Sequence, residues 1–428
     1  MEEENNQINN EESKENFEAF QESPNSFTDE SKGSNDFSSQ TNNNQINDLT
    51  GTFNNEFTEE EIHSENLKNK EIKSDKIEID ESKPDEIVDE EAFIDFSTDQ
   101  KVTPETEKKI KELSLLMLVV KKEIAKIVVG QDDIVNFFLE ALLAKGHVLV
   151  EGVPGLAKTL IVRTISIVTG CQFSRIQFTP DLLPTDIVGL TMYEEGKGFY
   201  SIKGPVFANF VLADEINRAP PKVQSALLEA MQERQVTIGK ETFALPEPFF
   251  VMATQNPVEN VGTYTLPEAQ VDRFIFKILI GYPSMNDELQ ILHKNMTTHD
   301  ISEFELKPIL EEAKILEMQK VVKEVYLDPK VEKYIVTLID ATRNPKNYDL
   351  KLGKYMQFGG SPRSTIALFI ASKAHAALNG RSYVLPDDVK GIAHNVLRHR
   401  IMLNYEGQAE EIKTDEIIDE LLKKVPII

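Results

Sequence analysis

Apolar positions along this chain fall into two regimes. Before about residue 100 they are sparse and follow no period. From Pro104 onward, short apolar runs recur and end in turn-forming or charged residues. His147–Val150 (HVLV), Asn209–Ala213 (NFVLA), Phe249–Thr254 (FFVMAT) and Ile275–Ile280 (IFKILI) are such runs. Their length suits buried parallel strands. Ile161–Ile165, between the first two, reads as helix. Together they predict an α/β core over about 128–283, a five-stranded parallel sheet with helices on both faces. Two alternating stretches read as hairpins: Gly189–Ile202, turning at Gly-Lys-Gly, and Val236–Leu245, turning at Gly239-Lys240. From Ser284 the strand pattern stops. Helical periods follow at Ile309–Val325, Asp328–Arg343, Ser364–Leu378 and Asp387–Leu397, the last opened by Pro386-Asp387. Pro104–Ile127 is a helical entry segment. Its run Leu113–Val120 is too short to span a bilayer and reads as a buried helix face.

Charge separates the regimes further. Residues 1–100 hold 29 Asp and Glu against 7 Lys and no Arg, so they carry −22 of the formal −26, and residues 101–428 carry −4. A segment so rich in Asn, Glu and Ser cannot bury enough apolar area to offset its ordering entropy, so disorder is expected. Within it, Glu71–Asp80 and Glu86–Phe96 are acidic–hydrophobic patches, either partner-binding motifs or solvated spacer. The expected organisation is an acidic tail at 1–103, an α/β core at 104–283 and an all-α lid at 284–428. No basic and apolar leader opens the chain, and no run of eighteen apolar residues occurs. The lone cysteine, Cys171, excludes an internal disulfide and a cysteine metal site, and reads as a small buried residue. These features fit the cytoplasm.

The candidate chemistry begins where the first strand ends. Glu151–Leu160 reads EGVPGLAKTL, a glycine-bearing loop closed by Lys158-Thr159 between a strand and a helix. This is the setting of a phosphate-binding loop, in which backbone N–H groups and a helix N-terminus converge on an anion. Gly152, Val153, Pro154, Gly155, Leu156, Ala157, Lys158, Thr159 and Leu160 would cradle the nucleotide. Lys158 would reach the outer phosphates and the Thr159 hydroxyl would hold magnesium. Ala157 stands where the common pattern has a second Gly, near the helix start, where negative φ is acceptable. About fifty-five residues later, Asn209–Ala213 ends in Asp214-Glu215. Ligands of parallel sheets bind at carboxyl strand ends. Asp214 would hold magnesium through water, and Glu215 would act as general base. Asn256, just past the third strand, is placed to bond a terminal phosphate and the lytic water, or else opens a turn with Pro257. Arg273, before the last run, fits either a surface ion pair or a phosphate finger, and spacing does not choose.

From about Pro104 to Ile428 the chain resembles the MoxR family of AAA+ ATPases. The resemblance rests on EGVPGLAKT, QFTPDLLPTDIVG (Gln177–Gly189), GPVFANFVLADEINRAPPKVQSALLEAMQE (Gly204–Glu233), ATQNPVE (Ala253–Glu259), GTYTLPEAQVDRF (Gly262–Phe274), SPRS (Ser361–Ser364) and VLRHRI (Val396–Ile401). It implies that Lys158 and Thr159 form Walker A and that Asp214 and Glu215 form Walker B. It implies that Asn256 is sensor 1, Arg273 a finger entering the neighbouring subunit, and Arg363 sensor 2 in the lid, serving the chain's own site with Lys158. The run Val128-Val129-Gly130-Gln131 resembles the segment bordering adenine, so Val129 and Gly130 join the nucleotide contacts. The hairpin at Gly189–Ile202 resembles, in position, the helix-2 insert of this clade. The implied activity is magnesium-dependent ATP hydrolysis by a hexameric ring that remodels or matures a client. The implied partner bears a von Willebrand factor A domain.

Two other readings share much of this pattern. A nucleic-acid motor would carry a broad positive stripe, and a near-neutral core weighs against it. A nucleotide-gated binding module without hydrolysis has no need of Glu215, Asn256 and Arg273 together. The seven histidines are scattered and read as structural. Arg398-His399-Arg400 is a small basic cluster, expected on a solvated or inter-subunit face.

Overall fold

The structure, a computed structural model, describes residues 102–153, 155–156, 158–256, 263–294 and 304–427. The acidic tail, and the disorder expected of it, lie outside the described residues.

The chain enters through α1 (Pro104–Ile124), with Pro104 in its first turn and Thr103 capping it. Leu113, Met117 and Val120 are buried while Leu115, Leu118 and Val119 face solvent. The apolar run is therefore split between two faces, because only a stripe of i, i+4 and i+7 positions meets the body. Next come α2 (Asp132–Leu143), β1 (Val148–Glu151), α3 (Lys158–Val168), β2 (Phe173–Gln177) and α4 (Pro184–Val188). The hairpin β3 (Gly189–Glu194) and β4 (Gly198–Lys203) leads to β5 (Phe210–Asp214) and α5 (Pro221–Glu233). A second hairpin, β6 (Gln235–Ile238) and β7 (Glu241–Ala244), precedes β8 (Phe250–Gln255), α6 (Glu268–Val271) and β9 (Phe276–Leu279).

Five of these strands form one parallel sheet in the order β2-β5-β8-β1-β9. Strand alternation divides its side chains cleanly. Val148, Val150, Phe210, Leu212, Phe250 and Met252 face one apolar cluster. Leu149, Val211, Ala213, Val251 and Ala253 face another, closed by α5 and β6. The order places β1, β8 and β5 side by side, so their carboxyl ends form one contiguous edge.

Helices dominate afterwards: α7 (Met285–His293), α8 (Glu312–Lys323), α9 (Pro329–Arg343), α10 (Pro362–Leu378), α11 (Pro386–Leu397), α12 (Tyr405–Ala409) and α13 (Thr414–Lys424). Asp328 and Ser361 cap α9 and α10, each followed by Pro at the first helical position. A short ribbon, β10 (Met356–Phe358) with β11 (Met402–Leu403), is added among them. The first apolar cluster runs without a break from the sheet through α1 and α2 into α8–α11. Core and helical region thus share one hydrophobic interior. Among the described residues no helix is long and apolar enough to cross a membrane.

Candidate nucleotide site

The loop after β1 is shaped by what its backbone must approach. A Cβ at Gly152 would lie 2.8 Å from the Ile280 carbonyl oxygen, so a side chain has no room there. Gly155 has φ +86°, a left-handed conformation that favours glycine. Leu156 is buried and Val153 packs against the main cluster, which anchors the loop from beneath. Pro154 and Ala157 lie outside the described residues. Lys158, Thr159 and Leu160 form the first turn of α3. The Lys158 ammonium donates to the Gly152 carbonyl, folding back over its own loop. Burial lowers its pKa, and the charges of Asp214, Glu215 and Glu151 oppose that shift.

Asp214 ends β5 and is held twice. Its Oδ1 accepts from Thr254 Oγ1 at 2.7 Å, and its Oδ2 accepts from Arg175 Nη2 at 2.6 Å. Thr254, on β8, also accepts from the Glu215 backbone N–H at 2.8 Å. Glu215 itself has φ +56°, unusual for a residue with a side chain. Its Oε2 accepts from Gln177 Nε2 at 2.8 Å and lies 3.1 Å from Arg218 Nε. Asn256 is buried just past the end of β8. Lys158, the two carboxylates and Asn256 therefore converge on one sheet edge.

Arg175, Gln177 and Thr254, which hold the two carboxylates, were not among the residues singled out from the sequence. Thr254 had a signal, being the polar residue that closes the buried run Phe249–Thr254. Arg175 and Gln177 lie on β2, whose mixed sequence FSRIQ gives no apolar run. Beside the site, a cavity of about 450 Å³ is lined by Glu151, Asn256, Thr265 and Lys277 among others. Another, of about 730 Å³, separates Gly130 and Phe137 from His394 and Arg398, with Leu279 and Asp287 at its side. Gly130 thus borders a nucleotide-sized space, and half-buried Val129 precedes it.

Arg273 and Arg363 stand elsewhere. Ile275 N–H donates to the carbonyl of His147, the residue just before β1. Arg273 therefore lies at the amino end of the strands, opposite the loop. It donates from Nη1 to the Leu228 carbonyl at 2.8 Å, and its buried Nε has no acceptor among the described residues. Its neighbour Asp272 is gripped by Arg400 Nε at 2.7 Å and by Ser361 Oγ at 2.9 Å. Arg363 Nη1 lies 3.9 Å from the same carboxylate. Both arginines thus stand at the amino ends of the strands and the phosphate loop at the carboxyl ends, so Arg363 is not beside Lys158 of its own site as expected, because the lid helix it opens is tied to Asp272.

The basic cluster near the C-terminus is not a solvated face. Arg400 is buried and donates to the carbonyls of Phe274 and Ile275. Arg398 pairs with Asp415 at 2.7 Å and donates to the Lys277 carbonyl, and His399 Nε2 donates to the Phe274 carbonyl. These bonds satisfy the outer edge of β9, which would otherwise be exposed. Burial and Arg400 push the His399 pKa well down, so it stays neutral. Cys171 is half-buried, and its thiol is pushed up to about 11 by burial.

A glycine loop ending in Lys-Thr after a parallel strand, two carboxylates ending a strand two places away and a helical region bound to the sheet's far edge define a P-loop ATPase of the AAA class. Residues 147–276 match the ATPase family associated with various cellular activities (AAA), and residues 353–421 match the AAA lid domain. The chain is 48% identical over 307 residues to Chaperone MoxR1 of Mycobacterium tuberculosis, covering 71% of this chain and 80% of that one. It is 46% identical to the protein YeaC of Bacillus subtilis, covering 72% and 93%, and 30% identical to Protein MoxR of Methylorubrum extorquens, covering 71% and 92%. A crystal structure of a candidate ATPase from Cytophaga hutchinsonii superposes with a TM-score of 0.71 at 47% identity, covering 76% of this chain and 98% of that one. The chain belongs to the MoxR family of AAA ATPases.

Proposed function

We propose that this protein hydrolyses ATP, with magnesium, at the interfaces of a ring of its own copies, and uses the cycle to remodel a client protein. The observation that carries the reading is the division of charge. Lys158, Asp214, Glu215 and Asn256 meet at the carboxyl edge of the sheet, and Arg273 and Arg363 lie at the amino end. The arginines at the carboxyl edge, Arg175 and Arg218, are engaged by Asp214 and Glu215, whereas Arg273 and Arg363 lie at the opposite end, so the two ends are complementary halves. Copies related head to tail would join them, and such contacts close into rings, with six copies the number the family implies.

The residues fit the cofactor. Thr159 and Asp214 offer a hydroxyl and a carboxylate, hard oxygen donors of the kind magnesium takes beside substrate phosphates. Bound there, magnesium would neutralise charge on the phosphate oxygens. The chain's own groups do the remaining work. Lys158 and the loop N–H groups bind and orient the phosphates. Glu215, steadied by Gln177 and Arg218, takes the proton of the attacking water, and Asn256 orients that water. Arg273 and Arg363 of a neighbouring copy meet the charge that grows on the transferred group. Val129 and Gly130 border the base. The partner class follows the family: a protein bearing a von Willebrand factor A domain, in the cytoplasm.

Two substitutions test the core of this reading. Lys158→Ala should abolish ATP binding in a fluorescent-nucleotide titration. Glu215→Gln should bind ATP and release no phosphate. Equal turnover by wild type and Glu215→Gln would reject Glu215 as the base.

A further inference from the structure

The entry helix α1 keeps an apolar stripe that no other described residue covers. Lys111, Leu115, Leu118 and Lys122 follow one another at spacings of four, three and four, with Val119 beside them, so they share one face. Leu115, Leu118 and Val119 are 64%, 48% and 46% exposed. The stripe leads into a cavity of about 300 Å³ between α1 and the start of α2. Leu118, Lys121 and Lys122 line it from α1, and Val128 and Val135 from the other side. Lys111 pairs with Glu107 at 2.7 Å. Among the described residues neither the Lys121 nor the Lys122 ammonium has a hydrogen bond or an ion pair. Lys121 is half-buried, and burial lowers its pKa, while the charges of Glu140 and Asp132 oppose that shift. An apolar hollow beside two unpaired ammonium groups suits a segment that sets carboxylates next to large apolar side chains.

The chain carries such a segment close by. Glu91–Phe96 (EAFIDF) sets Glu91 and Asp95 around Phe93, Ile94 and Phe96, has no basic residue, and ends six residues before Val102. Its reach matches the stripe. At about 1.5 Å per helical residue, Leu115 lies about 18 Å and Lys122 about 29 Å along α1 from Thr103. At about 3.3 Å per extended residue, Phe96 reaches back up to about 23 Å from Thr103 and Phe93 up to about 33 Å. A tether this short gives a local concentration on the order of millimolar, so a weak contact suffices. Charge separates this seat from the nearest alternative. A cavity of about 670 Å³ opens beside Val102 itself, but Glu107 and Asp328 line it against Lys330 alone, which disfavours an acidic segment. A second copy fits less well. Three side chains on a convex helix fall well short of the roughly 800 Å² that a stable contact takes from each partner, and the lysines of two like faces repel.

We propose that Glu91–Phe96 docks on the α1 stripe of its own chain, its apolar side chains against Leu115, Leu118 and the cavity, its carboxylates beside Lys121 and Lys122. The end of the acidic tail then covers a surface that is otherwise left open. Full chain, unlabelled and isotope-labelled in equal amounts, would be treated with a carbodiimide. The reagent joins a carboxylate to an adjacent amine as an amide with loss of water, and mass spectrometry identifies the joined peptides. Glu91 or Asp95 should be joined to Lys121 or Lys122 within one isotope class. Phe93→Ser with Ile94→Ser and Phe96→Ser keeps both carboxylates and the tether, and should cut that yield by about tenfold. Elution volume, melting temperature and basal ATPase should stay at wild-type values. Phe93→Leu with Phe96→Leu should retain the yield. Equal yield in the serine variant would leave charge attraction alone and overturn the proposal, as would no product at all. Products that join the two isotope classes overturn it, because the segment then seats on another copy. Coupling to Lys330 in place of Lys121 and Lys122 overturns it too, by placing the segment in the cavity beside Val102. None of these outcomes depends on nucleotide turnover.

Discussion

Replacing Arg273 by Ala separates action in its own site from action in a neighbour's. Arg273 lies before β9, level with the start of β1, and the phosphate loop follows the end of that four-residue strand. The strand alone separates the two by about 13 Å. Across that distance, at an effective dielectric of about 20, a unit charge is worth about 1 kcal/mol to a developing anion, and salt reduces this further. Its loss within one subunit should therefore slow turnover by less than about tenfold. A guanidinium in contact with the transferred group is worth about 10³-fold or more. The two cases are well separated. Arg273→Ala should bind ATP nearly as wild type and lose about 10³-fold in phosphate release. Mixed one to one with Glu215→Gln, it should regain activity, because about one interface in four then has a good Glu215 facing a good Arg273. Light scattering and a tag on one variant would verify mixed rings. A loss below tenfold, or no rescue in verified mixed rings, would refute the placement of Arg273 in the neighbour's site.

Three further outcomes follow from other parts of the fold. Arg400→Met leaves Asp272 without its closest partner and strips donors from the Phe274 and Ile275 carbonyls, so it should destabilise the chain by about 3–5 kcal/mol in denaturant unfolding. A change under about 1 kcal/mol would show the clasp to be incidental. His147 is fully buried, with Nδ1 accepting from Val251 N–H and Nε2 donating to the Met231 carbonyl, and desolvation lowers its pKa to about 4. The unfolded chain therefore binds this proton near pH 6.5 and the folded chain only near 4. Stability should fall by about 3 kcal/mol as pH drops through that window, and His147→Gln should flatten the profile. Deleting residues 1–100 should leave ATPase rate and assembly unchanged, since their composition offers little to a packed core. Loss of basal turnover in the truncated protein would contradict that.

Much of the sheet was legible because its three central strands are buried on both faces, and β9, though an edge strand with Leu279 exposed, keeps an apolar run. The fifth was not. β2 is an edge strand with a partly exposed pattern, so FSRIQ shows no run at all. With it went Arg175 and Gln177, which reach Asp214 and Glu215 only because β2 pairs with β5 in a register setting Gln177 beside Asp214. The loop and carboxylates could be found by type and spacing, since strand ends bring them together. Arg398-His399-Arg400 failed for the opposite reason. Three basic residues read as a solvated or inter-subunit face, but the acceptors that bury them are backbone carbonyls about 125 residues earlier and Asp272 and Asp415, which no local pattern displays.

The hairpin shows what alternation encodes and what it leaves open. Period two in Gly189–Ile202 fixes which side chains share a face, and the structure keeps that grouping in full. It does not state which face meets the body. Burial usually supplies the missing sign, because water expels the apolar face. Here the underside offers Gly239, Glu241 and the rings of Phe207 and Phe243, which match a hydroxyl, a second hydroxyl and an ammonium. A register slip by one residue would turn Leu190, Met192, Tyr200 and Ile202 toward that surface and Thr191 and Ser201 away from it. It would remove about 300 Å² of apolar surface from water, worth several kcal/mol. It would also strand Glu241 and carry Lys203 off its two rings. Glu195, Gly196 and Lys197 set the turn, and Gly189, with no room for a Cβ against the Ile202 carbonyl, sets the base, so the slip is blocked at both ends. The register, and with it the face on which each side chain lies, is therefore enforced by the positions around the hairpin.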